Sequence, residues 1–135
     1  MLVDTSAILA LADARSRSHV AVRTYLSSTS DLLSVPVTVL PELDYMLAER
    51  FGVQLELRIM RSISSGDFLI EQLTAGDLPR SLDLVEQYAD SNIGLVDASI
   101  VAIAERLRIT RILTLDHRHF RMFRPRHCET FELVP

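Results

Sequence analysis

The chain has 135 residues, 48% of them hydrophobic, which predicts one domain with a single packed core. Its formal net charge is −4, from 18 acidic residues and 14 basic ones that are all Arg. No apolar run is long enough to span a membrane, and the first segment carries Asp4 instead of the basic leader of a signal peptide. Cys128 is the only cysteine, so we expect a cytoplasmic protein without disulfides.

The first half of the chain alternates short apolar strands with helices. Residues 2–4 are predicted to form a strand, and Ser6 can cap the helix that follows it. In the next helix, Val20, Val22 and Leu26 are available for packing. The further predicted elements, bounded in part by Pro36 and Gly52, are helices over residues 19–27, 39–51 and 53–64 and strands over residues 31–35 and 67–71.

The second half repeats this alternation. A long helix is predicted over residues 75–88, with its apolar residues Leu78, Leu82, Val85 and Ala89 facing inward. A helix over 95–107 and strands over 111–115 and 129–134 follow. The whole pattern predicts an α/β fold, with a mostly parallel sheet of about five short strands and helices on both of its faces.

Four acidic residues lie where a predicted strand ends or a helix begins: Asp4, Glu42, Asp97 and Asp116. The carboxyl ends of parallel strands meet at one edge of a sheet, where ligands of such folds bind. Two carboxylates about 5 Å apart, at an effective dielectric constant near 20, repel each other by roughly 3 kcal/mol. Four of them need a cation, and their hard oxygen ligands favour Mg²⁺ or Mn²⁺.

Each acid also has a purely structural interpretation. Asp4 or Ser6 could simply cap the first helix, Asp97 could oppose a helix dipole, and Asp116 could open a turn. Glu42 lies off the apolar stripe of its helix and could be a solvated residue. The occurrence of all four at such junctions favours a shared site.

Other acidic or phosphate-binding sites are excluded by composition. Receiver domains and aspartate-nucleophile phosphatases use a Lys to hold the phosphoryl group, and this chain contains none. The phosphatases also carry a second Asp where this chain has Ser6. There is no Gly-rich phosphate loop, and the His residues lack zinc-ligand spacing with cysteine.

The last third of the chain is basic. Residues 106–127 carry seven Arg and one acid, a net charge of +6, while the rest of the chain carries −10. Together with His117, His119 and His127, this charge suits a polyanion held near a metal. The alternative is a solvated surface whose arginines pair with the acidic remainder. Phe120 is predicted to pack in the core, whereas Phe123 suits packing and base stacking equally.

With these motifs in hand, the chain resembles the PIN-domain ribonucleases that act as toxins in VapBC-type toxin–antitoxin pairs. The motifs that carry the resemblance run across the whole chain and are Val3-Asp4-Thr5-Ser6-Ala7, Pro41-Glu42-Leu43, Val96-Asp97-Ala98-Ser99 and Leu113-Thr114-Leu115-Asp116-His117-Arg118-His119-Phe120. The resemblance implies a PIN-like three-layer αβα sandwich as a single domain over residues 1–135. Where some relatives carry a further acid, this chain has Ser99, which leaves the number of metal ions open.

The resemblance also implies a catalytic, metal-binding quartet, Asp4, Glu42, Asp97 and Asp116, supported by a hydroxyl of Ser6 or Thr5. Asp4 and Asp97 are expected to bind Mg²⁺ directly, with Mn²⁺ as a possible substitute, and Glu42 and Asp116 to act directly or through water. Metal-activated water would attack the phosphorus and leave 5′-phosphate and 3′-hydroxyl ends.

The implied substrate is a structured tRNA or rRNA loop, whose cleavage inhibits translation. From the basic segment, Arg118, Arg121 and Arg124, together with Arg126, are the expected contacts to its phosphate backbone. The implied partners are a cognate VapB-type antitoxin, laid over residues 8–26 and 43–60, and a second copy of the chain in a homodimer. A second hypothesis is a catalytically weak PIN scaffold that binds protein, which metal-dependent RNA cleavage would exclude.

Overall fold

A computed structural model describes all residues from 1 to 135. Short strands alternate with helices along the whole chain, and a π-helical turn and a 3₁₀ turn are inserted between them. In chain order the elements are β1 (Leu2–Val3), α1 (Thr5–Ala12), α2 (Arg17–Ser28), β2 (Ser34–Pro36), α3 (Val39–Phe51), α4 (Val53–Ser62), the π-helical turn (Ile63–Asp67), β3 (Leu69–Glu71), α5 (Asp77–Gln87), the 3₁₀ turn (Ala89–Ser91), α6 (Leu95–Leu107), β4 (Arg111–Leu113), α7 (His117–Phe120) and β5 (Glu132–Val134).

The five strands form one sheet in the order β3-β2-β1-β4-β5, and every pairing is parallel. The central strand β1 pairs through Leu2 with Ser34 of β2 on one side and with Ile112 of β4 on the other. Leu2 and Val3 point to opposite faces of the sheet and are both fully buried, so helices cover both faces. The predicted three-layer α/β fold is confirmed, with all carboxyl ends at one edge.

Helix α6 is the central helix of the core. Every residue from Ala98 to Ala104 is buried, which is typical of a helix that is surrounded by other elements. No helix of the structure is long and apolar enough to cross a membrane.

Several predicted boundaries were displaced by local hydrogen bonding. Asp4, and not Ser6, is the N-cap of α1, and its side chain accepts a hydrogen bond from the Ser6 backbone N–H. The strand predicted over 111–115 ends at Leu113 because the N–H groups of Leu115 and Asp116 donate to side-chain hydroxyls. The strand predicted over 67–71 starts later, because the preceding π-helical turn contains Gly66 at φ 104°.

The limits of three further elements differ from the predicted ones. The strand predicted over 31–35 corresponds to β2, and the closing strand predicted over 129–134 corresponds to β5. Each strand is shorter than predicted and begins later in the sequence. The helix predicted over 19–27 begins earlier, as α2, because Ser16 caps it. Within α2, Val22 is fully buried, but Val20 is 64% exposed and does not pack in the core.

The inward face of α5 was predicted wrongly for Leu78, Leu82 and Ala89, whereas Val85 is partly buried and packs against the core as expected. Leu78 and Leu82 were expected to point inward and are 42% and 54% exposed, and Ala89 lies beyond the helix and is exposed. The buried residues of α5 are Asp77, Ser81 and Leu84. A polar face can turn inward here because its groups are satisfied, and Ser81 Oγ, for example, donates to the Asp77 carbonyl over 2.8 Å.

Candidate active site

The four predicted acids come together at the carboxyl edge of the sheet. Asp4 directly follows β1, Glu42 lies in the first turn of α3, Asp97 in the first turn of α6, and Asp116 caps α7 after β4. All four line one cavity of about 430 Å³. No Arg lines it, so the carboxylates have no guanidinium counter-charge.

The Asp4 carboxylate is held by two hydroxyl groups. Ser6 Oγ donates to Asp4 Oδ2 over 2.6 Å, and Thr114 Oγ1 donates to the same oxygen over 2.8 Å. Each hydroxyl also accepts a backbone N–H, from Leu115 and Asp116 respectively, at 2.9 Å. Both hydroxyl protons are therefore directed at Oδ2, while Oδ1 makes no hydrogen bond and remains available to a ligand.

Glu42 is held from the other side. Thr5 Oγ1 donates a hydrogen bond to Glu42 Oε2, which joins the start of α1 to the start of α3. Glu42 is exposed, as expected for a residue off the apolar stripe of its helix. The adjacent residues Thr5 and Ser6 thus support two different carboxylates, so both of the predicted hydroxyl groups have a partner.

Asp97 and Asp116 meet at His119. The Nδ1 atom of His119 lies 3.3 Å from Asp97 Oδ2 and 3.0 Å from Asp116 Oδ2. Asp116 is further fixed because its Oδ1 accepts the His119 backbone N–H over 3.1 Å.

The charge in the cavity is not balanced by these contacts. Burial, followed by the nearby Asp4 carboxylate, raises the pKa of Asp97 to about 6, although His119 lowers it. Asp116 and Glu42 raise the pKa of Asp97 further. A raised carboxyl pKa in a site that also contains three other acids marks an arrangement that a cation would stabilise.

The residues present fit a hard divalent cation. The charged donor groups are carboxylates, with the His119 imidazole beside them and no Cys among the cavity-lining residues. As the side chains stand, no three His, Cys, Asp or Glu groups converge closely enough to hold an ion together. Mg²⁺ usually keeps several waters and takes one or two carboxylates directly.

Comparison with known proteins identifies the family. The PIN domain family model matches residues 1–124. The chain is also 39% identical to Ribonuclease VapC26 of Mycobacterium tuberculosis over 135 residues, which cover 100% of both chains. The chain belongs to the PIN domain family. The resemblance predicted from the sequence is therefore confirmed.

Solved structures agree with the PIN-domain fold. VapC20 of Mycobacterium tuberculosis, described as a toxin that cleaves the sarcin–ricin loop, superposes with a TM-score of 0.79 at 22% identity, covering 86% of this chain and 89% of that chain. DNA-bound VapBC from Salmonella typhimurium superposes with a TM-score of 0.72 at 16% identity, covering 98% and 96%. At these identities the likeness concerns the fold.

Ser99 does not line the cavity of this PIN domain. It is fully buried, donates to the Val96 carbonyl over 2.7 Å and lies 2.6 Å from Thr38 Oγ1. The position that carries an acid in some relatives is therefore part of the packing between α6 and the start of α3.

The predicted RNA-binding arginines lie outside the cavity. Arg118, Arg121 and Arg124 are exposed and form no ion pair, so Arg118 does not neutralise a quartet carboxylate. The guanidinium of Arg124 donates to the carbonyls of residues 121–123 at the end of α7.

The basic segment is partly neutralised by ion pairs. Arg106 pairs with Asp77 and Glu71, and Arg111 pairs with Asp31 and Glu132. Arg106 and Arg111 therefore follow the alternative interpretation, in which arginines of the basic segment pair with acidic residues elsewhere in the chain.

The aromatic residues near α7 belong to the core. Phe120 and Phe123 are each 1% exposed, and Phe123 packs edge-on against Tyr88 with ring centroids 5.1 Å apart. Base stacking is therefore excluded for Phe123 as it stands, and the core position predicted for Phe120 is confirmed.

Cys128 is half-buried, and burial raises the pKa of its thiol.

Sequence reasoning missed two residues of the site. Thr114 was quoted within a motif but given no role, although its position directly after β4 and two residues before Asp116 was a usable signal. His119 was considered only as a phosphate contact, and nothing in the local sequence shows that its ring lies between two carboxylates.

Proposed function

We propose that this PIN-domain protein is a Mg²⁺-dependent endoribonuclease toxin that cleaves structured RNA in the cytoplasm, inhibits translation and is neutralised by a cognate VapB-type antitoxin. The observation that carries the proposal is the meeting of Asp4, Glu42, Asp97 and Asp116 in one cavity without a guanidinium group. We treat residues 1–135 as one PIN domain, because β5, which follows the matched residues, joins the same sheet.

The acidic quartet is the proposed metal-binding set. Asp4 and Asp97 would hold the ion directly, and Glu42 and Asp116 directly or through water. When bound, Mg²⁺ or its substitute Mn²⁺ supplies a lowered pKa for a bound water and charge stabilisation at the phosphorus. The free Oδ1 of Asp4 supports its direct role, since the two hydroxyl groups already occupy Oδ2.

Side chains of the protein would perform the remaining roles, which are to orient the metal-binding group, accept a proton and contact the RNA. Ser6 and Thr114 hold the Asp4 carboxylate in one orientation, so little reorganisation is needed on binding. Glu42 would accept a proton from the attacking water through Oε1, since Oε2 accepts the Thr5 hydroxyl. Attack by water predicts products with 5′-phosphate and 3′-hydroxyl ends. Arg118, Arg121 and Arg124 would contact the phosphate backbone.

The proposed antitoxin surface covers two partly apolar cavities, one of which adjoins the acidic cavity. A second cavity of about 340 Å³ is lined by residues that include Leu9 and Met46, which also line the acidic cavity. A third, of about 250 Å³, includes Ile8, Leu11 and Ile59. A helix laid over α1 and α4 could therefore extend a tail with a basic side chain to the carboxylates.

A homodimer is the other proposed assembly, which the family resemblance implies. Leu78 and Leu82 of α5 provide exposed apolar surface for it. Size-exclusion chromatography with light scattering tests it, and a monomer at all accessible concentrations would contradict it.

The test of the enzymatic proposal is cleavage of RNA by the purified protein. The substrates are oligonucleotide hairpins that represent tRNA anticodon loops and the sarcin–ricin loop, the target in the description of VapC20. We expect cleavage in Mg²⁺ or Mn²⁺, little in Ca²⁺ or Zn²⁺, and none in excess EDTA.

Two controls complete this experiment. Asp4→Asn must be inactive, which excludes a contaminating nuclease, and sequencing of 5′-phosphate ends after induction in cells identifies the natural substrate. Undiminished cleavage in EDTA would contradict the metal mechanism. Folded wild-type protein that binds a protein partner but cleaves no RNA with any metal would favour the scaffold hypothesis instead.

A further inference from the structure

The imidazole of His119 occupies an unusual position within the acidic cavity. Its Nδ1 is buried and lies 3.0 Å from Asp116 Oδ2 and 3.3 Å from Asp97 Oδ2. Nevertheless, Nδ1 makes no hydrogen bond to either oxygen. Both distances are short enough for one, so both oxygens must lie well off the in-plane axis of the ring nitrogen.

This off-axis arrangement is the one that neighbouring ligands of a metal ion adopt. In octahedral coordination with bonds of about 2.1 Å, adjacent donor atoms are about 3 Å apart. Each donor atom directs its lone pair at the ion. The line from that atom to a neighbouring donor lies about 45° from the lone-pair direction, so no lone pair points at a neighbouring donor. The contacts of His119 Nδ1 with the two carboxylate oxygens have this spacing and this lack of alignment.

The other ring nitrogen permits the required tautomer. Nε2 of His119 makes no hydrogen bond within the protein and is not among the buried unpartnered atoms, so it is open to solvent. It can carry the ring proton while Nδ1 offers its lone pair to the cavity. The three donors do not converge on one point as they stand, so ion binding requires the Asp97 and Asp116 carboxylates to rotate about their terminal torsion angles. For Asp116 this rotation would displace the Oδ1 atom that accepts the His119 backbone N–H.

We propose that His119 Nδ1 is a direct nitrogen ligand of the divalent ion, beside Asp97 Oδ2 and Asp116 Oδ2. The site is then a mixed nitrogen–oxygen site, which binds a transition ion such as Mn²⁺ or Co²⁺ more strongly, relative to Mg²⁺, than carboxylates alone would. This inference rests on the proposed function, because it concerns the same cavity, but it assigns a ligand that the acidic quartet does not include.

The direct test is pulsed electron paramagnetic resonance of Mn²⁺ bound to the full-length protein. Protein labelled with ¹⁵N only in histidine separates an imidazole signal from that of backbone nitrogen. We expect the coupling of a directly bonded histidine nitrogen in wild type and in the control His117→Gln, whose ring faces the Thr114 carbonyl instead. The coupling should be absent in His119→Gln.

A second measurement separates ligation from simple positioning of the carboxylates. Calorimetric titration should show that His119→Gln lowers Co²⁺ affinity about tenfold or more, but Mg²⁺ affinity by less than about threefold. A positioning role would lower both affinities by the same factor, and that result would overturn the proposal.

The outcomes distinguish this proposal from the proposed function. If Mn²⁺ binds to wild type and not to Asp97→Asn, but no histidine nitrogen is coupled to it, the ligand assignment is wrong and the metal-dependent ribonuclease proposal stands. If wild type binds no Mn²⁺ at all, the metal mechanism and the His119 assignment fail together.

Discussion

The acidic residues at the two ends of α6 differ in the charge of their neighbours and in the direction of their pKa shifts. At its start, Asp97 faces three other carboxylates and no arginine, and burial with the nearby Asp4 raises its pKa to about 6. At its end, Glu105 accepts two hydrogen bonds from Arg80, at 2.8 and 2.9 Å. Although burial raises the pKa of Glu105, these bonds, a hydrogen bond from the Arg126 backbone N–H and the charges of both arginines together hold the pKa below its usual range.

Asp77 behaves like Glu105. Burial raises its pKa, but hydrogen bonds from Thr74 and from Arg106 outweigh that effect and lower it. Glu105 and Asp77 are therefore paired with guanidinium groups, whereas no arginine lines the cavity that contains the acids proposed for chemistry. Partner charge, and not burial alone, distinguishes the two clusters.

The largest expected effect is the loss of activity at the unpaired end. Asp4→Asn, Glu42→Gln, Asp97→Asn and Asp116→Asn should each lower RNA cleavage on the order of a thousandfold, because each removes a metal-binding or proton-accepting group. Single-turnover cleavage and circular dichroism measure activity and fold. Two or more variants with near wild-type rates would show that the site is assigned wrongly.

At the end of α6 where Glu105 is paired with Arg80, we expect a loss of stability and no loss of activity. Glu105→Gln leaves the half-buried Arg80 without its charged partner and should lower the free energy of unfolding by about 3 kcal/mol, while cleavage by the folded protein is retained. Urea denaturation followed by circular dichroism measures this change. Unchanged stability would mean that the ion pair contributes nothing and would remove the contrast between the two clusters.

Asp97→Asn should stabilise the protein in the absence of metal. The folded-state pKa of Asp97, about 6, lies above its usual value, so its contribution to stability is present at low pH and is lost as the pH rises through about 6. At pH 7.5 the neutral amide should raise the free energy of unfolding by about 3 kcal/mol, and at pH 4 it should change little. Thermal unfolding in EDTA at both pH values measures this, and an equal effect at the two would contradict the raised pKa.

The smallest effect concerns the exposed arginines, which belong to neither cluster. The triple variant Arg118→Gln, Arg121→Gln, Arg124→Gln should weaken RNA binding and flatten its dependence on salt, because fewer counterions are released. Affinity measured against the logarithm of the salt concentration in the presence of Ca²⁺, where cleavage is expected to be poor, tests this. A slope equal to wild type would assign these arginines to the fold or to the antitoxin.

The sequence was most informative where short-range features mark an element end. Asp4, Glu42, Asp97 and Asp116 each sit beside a strand end or a helix start, and the parallel order of strands brings such places to one edge. Their common cavity could therefore be predicted without knowledge of any contact.

The prediction failed where a partner distant in sequence decided the outcome. The leucine spacing of α5 and the spacing of Asp77 and Ser81 are both helical, and local pattern alone favoured the leucines. Asp77 turned inward because Arg106, 29 residues away, pairs with it over 3.0 Å. The ring of His119 and the hydroxyl of Thr114 acquire their roles in the same way, through residues from other parts of the chain.

The pairing of β1 with β4 determines when during synthesis the protein can become active. Asp4 is synthesised before the Thr114 residue whose hydroxyl orients its carboxylate, because the two are separated by 110 positions. Parallel pairing of distant strands is a late and slow event in folding. A nascent chain that ends before Thr114 consequently lacks both Asp116 and the hydrogen bond to Asp4, so the acidic site is complete only once synthesis has passed Asp116.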